Sequence, residues 1–481
     1  IMAITSASGI DAAPRQQTLS TNYIDFTSAA TEGWAQQYLP DLMEKEAEIY
    51  GKRTIAGFLA QVGAEEASTS DRVIWSEQGR LHLAYKATNE DVSANIFTVT
   101  ADIDGNTIDG SAGNVHGMRV GDIVLVSNTS LTLRGYVSAI AAATATILPY
   151  AEAEFDTAGF SDSAGAGAYR ILVVGSEFEK GTDGRTAANS PKFTSYSNKH
   201  IIMKDYYEVS GSDVSQIGWV EVAGEEGQNG YLWYLKAEGD TRARFTDYLE
   251  MTMLEAVTAH ADAGAIGGTD GGALQDGTQG LFSAIEARGH QTTGVTGVNA
   301  ATDLAEFDAI LAAFDQNGAI EENMMFVNRG TSLAMDDMLA SMNSYGAGGT
   351  SYGVFDNEED MALNLGFSGF RRGSYDFYKS DFKYLNDLGT RGALNDTVTN
   401  IRGVVVPAGV SSVYDEQLGK NMKRPFLHVR YRSSQTDDRK LKTWVTGSVG
   451  AKTSGKDVME IHYLSERCLI TQGANNFMLM N

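Results

Sequence analysis

The sequence predicts an α+β chain in which one long helix stands between two β-rich regions, and three observations carry that prediction. From Tyr231 to Ala263 (YLWYLKAEGDTRARFTDYLEMTMLEAVTAHADA) about 35 residues run without proline and with one glycine, Gly239. Tyr231, Tyr234, Leu235, Phe245, Leu249, Met253, Ala256 and Val257 recur near the 3.6-residue helical period. At 1.5 Å per residue such a helix would be about 50 Å long, more than a small domain needs, so it reads as a strut across an extended molecule. Second, short alternating runs separated by Gly, Asp, Asn and Ser fill residues 90–176 with no helical pattern. Third, helix-patterned and strand-patterned segments alternate from Leu281, and long β-type runs return toward the C-terminal end.

Taken in order, residues 1–30 are small, polar and irregular, include Pro14, and read as an extended arm. A helix is expected from Glu32, where Tyr38, Leu39, Leu42, Met43, Ala47, Ile49 and Tyr50 form an apolar stripe interrupted at Pro40. The alternation in RVIWSEQGRLHLAYK, Arg72 to Lys86, predicts a pair of strands turning near Gly79. NIFTVTA, DIVLV, LTLRGYVSAI, TATIL and YRILVV then supply five or six strands, the content of a small barrel or sandwich inserted as a unit. Polar sequence from Glu177 to Asn198 leads into HIIMKDYYEVSG, so the insert is read as interrupting the two arms of one long β-hairpin. Beyond the long helix come a glycine-rich stretch over 264–280 and the segment LFSAIEARG. A helix near Asp303–Phe314, a buried strand at Met324–Asn328, a helix near Ser332–Met342 and β-type sequence at Gly369–Tyr384 define a compact α/β domain. FLHVRYRS, KLKTWVTGSVGA and DVMEIHYLSERCLIT are the closing strands, and no repeat of 20–50 residues is visible.

Composition narrows the class. A chain of 481 residues with 42% hydrophobic content can build sizeable cores. Its 37 Lys and Arg against 62 Asp and Glu give a net charge of −25, which favours solubility and argues against wrapping nucleic acid over a general basic surface. Cys468 is the only cysteine, so neither an intrachain disulfide nor a cysteine-rich zinc site is possible, and a reducing cytoplasm suits the chain. The longest apolar runs fall far below the ~20 residues that span a bilayer. The first residues lack the basic start and apolar core of a secretory signal, so none is expected. Fifty-two glycines against six prolines fit flexible connections, or loops that bend differently in different copies.

Two enzyme-like motifs fail on context. Gly349-Thr350-Ser351-Tyr352-Gly353 has the G-x-S-x-G spacing of a hydrolase nucleophile elbow, but a helix-patterned segment precedes it and acidic VFDNEED follows, where a strand-turn-helix is required. GAKTSGKD, with Lys456, approaches a phosphate-binding loop. There Asp457 replaces the magnesium-binding hydroxyl, and VMEIHYLS alternates like a strand where a helix is required. Asp102, Asp104 and Asn106 start a calcium-loop spacing that lacks its glycine and glutamate, so a β-turn is expected. The histidines His82, His116, His200, His260, His290, His428 and His462 are scattered without a metal-binding pair. No residue is nominated as catalytic, cofactor-binding or metal-binding, and no cofactor is expected. One reversal of charge stands out: Lys420, Lys423, Arg424, Arg430, Arg432, Arg439, Lys440 and Lys442, several on one face of a strand. Contact with an acidic neighbouring subunit or enclosed DNA, and a solvated strand face, are equally compatible with it.

The order of parts resembles the major capsid protein family of tailed bacteriophages, with the Hong Kong 97-type fold. DGTQGLFSAIEARG and the ending HYLSERCLITQGANNFMLMN are textual cues of the same kind. The resemblance implies an N-terminal arm (1–30), an N-terminal helix and first arm of an extended loop (31–89), an inserted small all-β domain (90–176) and a return arm (177–228). It further implies a spine helix with peripheral domain (229–280), an axial domain (281–392) and the β-rich remainder of the peripheral domain (393–481). The implied function is structural and not enzymatic: hexamers and pentamers building an icosahedral shell around double-stranded DNA, in the virion, assembled in the host bacterial cytoplasm. Implied partners are other copies of the chain, a scaffold that is separate or removed earlier, a portal, decoration proteins and the packaged DNA, with no membrane. The alternatives are a hydrolase or nucleotide-binding enzyme using Ser351 or Lys456, and a surface-layer or adhesin protein.

Overall fold

The computed structural model describes residues 57–59, 64–80, 82–91, 94–111, 115–160, 168–185, 193–212, 222–223, 229–230, 232–259, 277–318, 320–342, 369–395, 400–408, 410–415, 420–447 and 455–481. The expected N-terminal arm and the helix from Glu32 lie outside these residues. Strands β1 (Ala64–Ser68) and β2 (Arg72–Gln78) precede β3 (Ala84–Asp91), β4 (Ile96–Asp102), β5 (Asp122–Ser127), β6 (Thr132–Ile140), β7 (Thr144–Pro149) and β8 (Tyr169–Ser176). Next come β9 (Phe193–Lys199), β10 (Ile201–Ser210), the short β11 (Val222–Ala223) and β12 (Asn229–Gly230), and helix α1 (Leu232–Glu255). Helix α2 (Leu281–Arg288), β13 (His290–Thr292), α3 (Ala300–Asn317), β14 (Glu322–Val327), α4 (Arg329–Met342), β15 (Gly369–Arg372), β16 (Tyr375–Asp381) and the one-turn α5 (Lys383–Asn386) follow. The remainder is β17 (Gly403–Pro407), β18 (Val410–Asp415), β19 (Lys420–Pro425), β20 (Leu427–Arg432), β21 (Lys442–Gly447), β22 (Val458–Thr471) and β23 (Met478–Met480). The fold is mixed α/β with strands predominating.

The chain divides into two compact units, Trp75–Tyr196 and the combination of Ile1–Ile74 with Ser197–Asn481. In the first, six antiparallel strands close a barrel in the order β3-β4-β7-β6-β5-β8. Period-two alternation turns Phe97 and Val99 of β4, Ala145 and Ile147 of β7, and Tyr169 and Ile171 of β8 inward. Phe155 and Phe160, from the loop after β7, plug the interior, with Phe155 edge-on to Phe97 at 5.0 Å. Gly135 is required where β6 crosses Ile147, because a Cβ there would lie 2.4 Å from the Ile147 side chain. Closure removes exposed sheet edges, which suits an inserted body.

The sequence expectation of a hairpin turning at Gly79 is corrected. Strand β2 pairs with β9, whereas β3 pairs with β4 and β8. Tyr85 and Ala87 of β3 are buried in the barrel core, and that burial outweighs a local turn at Gly79. The barrel therefore starts at Ala84, ahead of residue 90.

The other unit holds two large sheets besides the two-stranded pairs β11-β12 and β18-β19. In the first, the fourteen-residue β22 is central: β20 and β10 flank it antiparallel, β21 joins along its first half, and β1 extends the sheet parallel to β20. Helix α1 packs Phe245 and Leu249 against Ile461 and Tyr463 of β22, with Met203 and Tyr207 of β10 at the margin. Its buried positions Ala237, Thr241, Phe245, Leu249 and Met253 follow a four-residue step. The helix has 24 residues rather than about 35, so its length is about 36 Å. It stops for a tertiary reason. The Gly280 N–H donates to the Ala256 carbonyl at 2.7 Å and Thr258 bridges Gly277, so a returning segment takes over the helix end.

The second sheet runs β13-β23-β17-β14-β16-β15. Helix α3 starts where the Asn299 side chain accepts the Thr302 N–H, and ends at Gly318 in the left-handed region (φ 65°). Phe307, Ile310 and Phe314 of α3 and Met335, Met338 and Leu339 of α4 share a core with Met325, Phe377 and Val405 of the sheet. Strands β17 and β23 come from beyond residue 392, yet both pair inside this sheet. The C-terminal segment is thus shared among three sheets, since β18 and β19 pair only with each other, and does not form a single β region.

Candidate functional site

A cluster of charged groups lies where β1, β20, β22 and the 433–442 turn meet. The parallel register sets Glu65 beside Val429 and Glu66 beside Arg430. Arg430 pairs with Glu66 at 2.8 Å, Lys440 pairs with Glu65, and Lys442 pairs with Asp437 at 2.6 Å. Arg432 pairs with Asp71 and, at 3.2 Å, with Glu466, while Arg439 Nε approaches the other oxygen of Glu466 at 2.5 Å. Glu466 is only 5% exposed, so its two guanidinium partners compensate a buried carboxylate. A cavity of about 430 Å³ opens here beside Thr69, Ile202, Arg432, Ser434, Arg439 and Glu466. Its cations are already matched by carboxylates, so it does not concentrate positive potential for an anion.

The structure adds intrachain partners that neither sequence reading of the basic cluster included. Arg430, Arg432, Arg439, Lys440 and Lys442 pair with acids of the same chain, while the Lys440 and Lys442 side chains stay 42% and 40% exposed. Lys420, Lys423 and Arg424 are on β19, and their side chains lie outside the described set.

Three polar clamps, absent from any sequence motif, fasten distant segments of this unit. Glu250, buried on α1, accepts the N–H groups of Gly57 and Leu59, both at 2.8 Å. Burial raises its carboxyl pKa above the usual range, opposed by those backbone donors. Buried Asn198 donates to the carbonyls of Gln279 (2.9 Å) and Leu469 (2.7 Å) and accepts from Thr278 Oγ1 and the Gln279 N–H. Glu255, at the end of α1, accepts from the Tyr384 hydroxyl at 2.9 Å and pairs with Arg391 at 2.5 Å. Burial is also the main reason the Tyr384 phenol is held well above its normal pKa, and Glu255 adds to it.

The motif residues are not brought together. Ser351 and its glycines lie outside the described residues, as does His260. Lys456 is exposed, 3.6 Å from Glu460 and 4.0 Å from Glu208, and is followed by strand β22, so the helix that a phosphate loop requires is replaced by a strand. Asp102 accepts the Asn106 N–H and side-chain amide, both at 2.8 Å, while Asp104 pairs with Arg80 at 2.7 Å. Their oxygens serve a turn and do not converge. Among the described residues no three His, Cys, Asp or Glu side chains are placed to hold a metal ion. Burial pushes the Cys468 thiol up to about 12, which removes its nucleophilicity near neutral pH. Among the described residues no helix is long and apolar enough to cross a membrane.

No protein-family model matches this sequence, and no curated protein matches it. Solved structures similar to the chain include phage capsid structures. The capsid of the cyanophage P-SCSP1u aligns over 64% of this chain and 80% of its own, at 10% identity and TM-score 0.35. A structure from Microbacterium phage Oxtober96 aligns over 94% and 99% at 9% identity and TM-score 0.38. The capsid of an empty GTA particle aligns over 95% and 98% at 10% identity and TM-score 0.35. These values describe a coarse likeness, and no residue role is taken from them.

Proposed function

We propose that this chain is the major capsid protein of a tailed double-stranded DNA bacteriophage, assembling as hexamers and pentamers into an icosahedral shell of Hong Kong 97-type subunits. The observation that carries the reading is the ribbon of β2 and β9. These strands form a two-stranded sheet of their own, through which the chain leaves for the barrel and returns. Ile74 on that ribbon is 65% exposed. A lone two-stranded ribbon is marginal in water, so a protein that keeps one is built to have it ordered by neighbours. The charged clamps point the same way. They commit buried polar groups to fastening distant segments of one unit together.

On this reading the partners are copies of the same chain, a scaffold, a portal, decoration proteins and the packaged DNA. The place of action is the virion, after assembly in the host cytoplasm. Coexpression with the cognate scaffold, followed by sedimentation and negative-stain imaging, is expected to yield closed particles of very large mass. A compact monomer as the sole product under those conditions overturns the proposal.

A further inference from the structure

Among the described residues β10 is the terminal strand of its sheet, paired with β22 on one side only. The ten consecutive register pairs with β22 contain no bulge, and the strand (IIMKDYYEVS) contains no proline. At the opposite end of the sheet the terminal strand β1 has five residues. A long, unbulged edge is the kind that recruits another strand, and folded proteins normally shorten, kink or cover it.

One face of β10 packs under α1. The other face carries Ile202, Lys204, Tyr206 and Glu208 outward, with Ile202 52% and Tyr206 56% exposed. Their spacing is self-complementary. An antiparallel pair of two β10 strands about a twofold axis perpendicular to the sheet, centred on Tyr206, sets Lys204 of each copy opposite Glu208 of the other. Tyr206 then meets its own counterpart, and Ile202 lies opposite Ser210. Centring the pair on Asp205 or on Lys204 would instead place like charges face to face, which is destabilising. We propose that β10 is an interaction surface for a second copy of this chain, joined edge to edge in this register so that the two sheets become one. Main-chain hydrogen bonds supply the attachment and the Lys204–Glu208 pairs select the register. One strand pair is a small interface, suited to an assembly in which many such contacts act together. The inference does not depend on the capsid reading: a soluble dimer would satisfy it.

The test uses the full chain with a single introduced cysteine. Directly opposed residues of an antiparallel pair have Cα atoms about 4.5–5.5 Å apart, within the range a disulfide spans. Tyr206→Cys is therefore expected to oxidise to a covalent dimer, read by non-reducing electrophoresis. Ile202→Cys is the control from the same strand and face. The proposed register puts its two copies eight positions apart, roughly 27 Å at 3.4 Å per residue, so dimer formation is expected to be at least about tenfold slower. Cys468 is fully buried and does not compete. In a second arm, sedimentation of the otherwise native chain is expected to show association weakened by Lys204→Glu and restored by adding Glu208→Lys. Equal cross-linking at positions 206 and 202 overturns the register. Association indifferent to the charge reversal, or recovered only with a different protein, overturns the second copy as occupant. Closed particles without the 206 cross-link sink this inference and leave the capsid proposal standing; cross-linked dimers without particles do the reverse.

Discussion

At the scale of single residues, burial and the partner a group faces decide behaviour that residue type alone leaves open. Tyr375 is buried in the α3–α4 core and donates to Asp315 at 2.7 Å. Burial first, and that hydrogen bond second, push its phenol up to about 12. The raised value means the folded state keeps a proton that the unfolded chain releases near pH 10. The contribution to stability is complete below pH 10 and is lost as pH rises from 10 toward about 12. Tyr375→Phe is expected to lower the urea midpoint at pH 8 and to make the decline between pH 10 and 12 shallower. Tyr384, Tyr85, Tyr463 and Tyr150 are raised in the same sense and contribute to the slope that remains. An unchanged slope in the variant would remove Tyr375 from the account. Inward positions such as Phe97 and Val99 were legible in the sequence because they follow the strand period. Asn198 and Glu250 were not. Their partners stand 271 and 191 residues away along the chain, and nothing local marks a polar residue as buried.

For elements, existence was easier to read than pairing. Runs such as FLHVRYRS and DVMEIHYLSERCLIT become strands β20 and β22, yet the parallel docking of β1 beside β20 has no local signal. That docking turns a basic stretch, open in sequence to several interpretations, into an internal staple. The consequence can be measured. Arg432→Ala combined with Arg439→Ala strips both guanidinium partners from buried Glu466, a loss expected to cost about 3–5 kcal/mol of folding stability. Urea unfolding of the double variant checks this, and a change below about 1 kcal/mol, the level of an exposed pair, would show the network to be peripheral. Helix α1 teaches a related lesson. Its sequence carries no stop near Glu255, because the stop is supplied by Gly280 arriving from a different part of the chain.

For the whole molecule, the sequence indicated a β-rich insert within an α+β chain, and the structure draws its limits by closure. Because β3 completes the barrel, a cut at residue 90 would leave one of six strands behind. A fragment of residues 75–196 is accordingly expected to unfold as one cooperative β-type transition, followed by circular dichroism. A fragment of 90–176 is expected to lack that cooperativity, since it opens the barrel and removes Tyr85 and Ala87 from the core. Identical melting of the two fragments would show that β3 is dispensable.

The discontinuous sheet also imposes a timetable on synthesis. Asp71 and Arg432 are 361 residues apart, so at ribosomal speeds of about 5–20 residues per second the early strand emerges roughly 20–70 s before its partner exists. The barrel, whose strands are all encoded within one short stretch, can finish folding in that interval. Strands β1 and β10 cannot, because their partners β20 and β22 are encoded later. Newly made chains are therefore most exposed to misassociation on the polysome itself, and slowing translation between codons 211 and 426 should lengthen that vulnerable period without altering the finished protein.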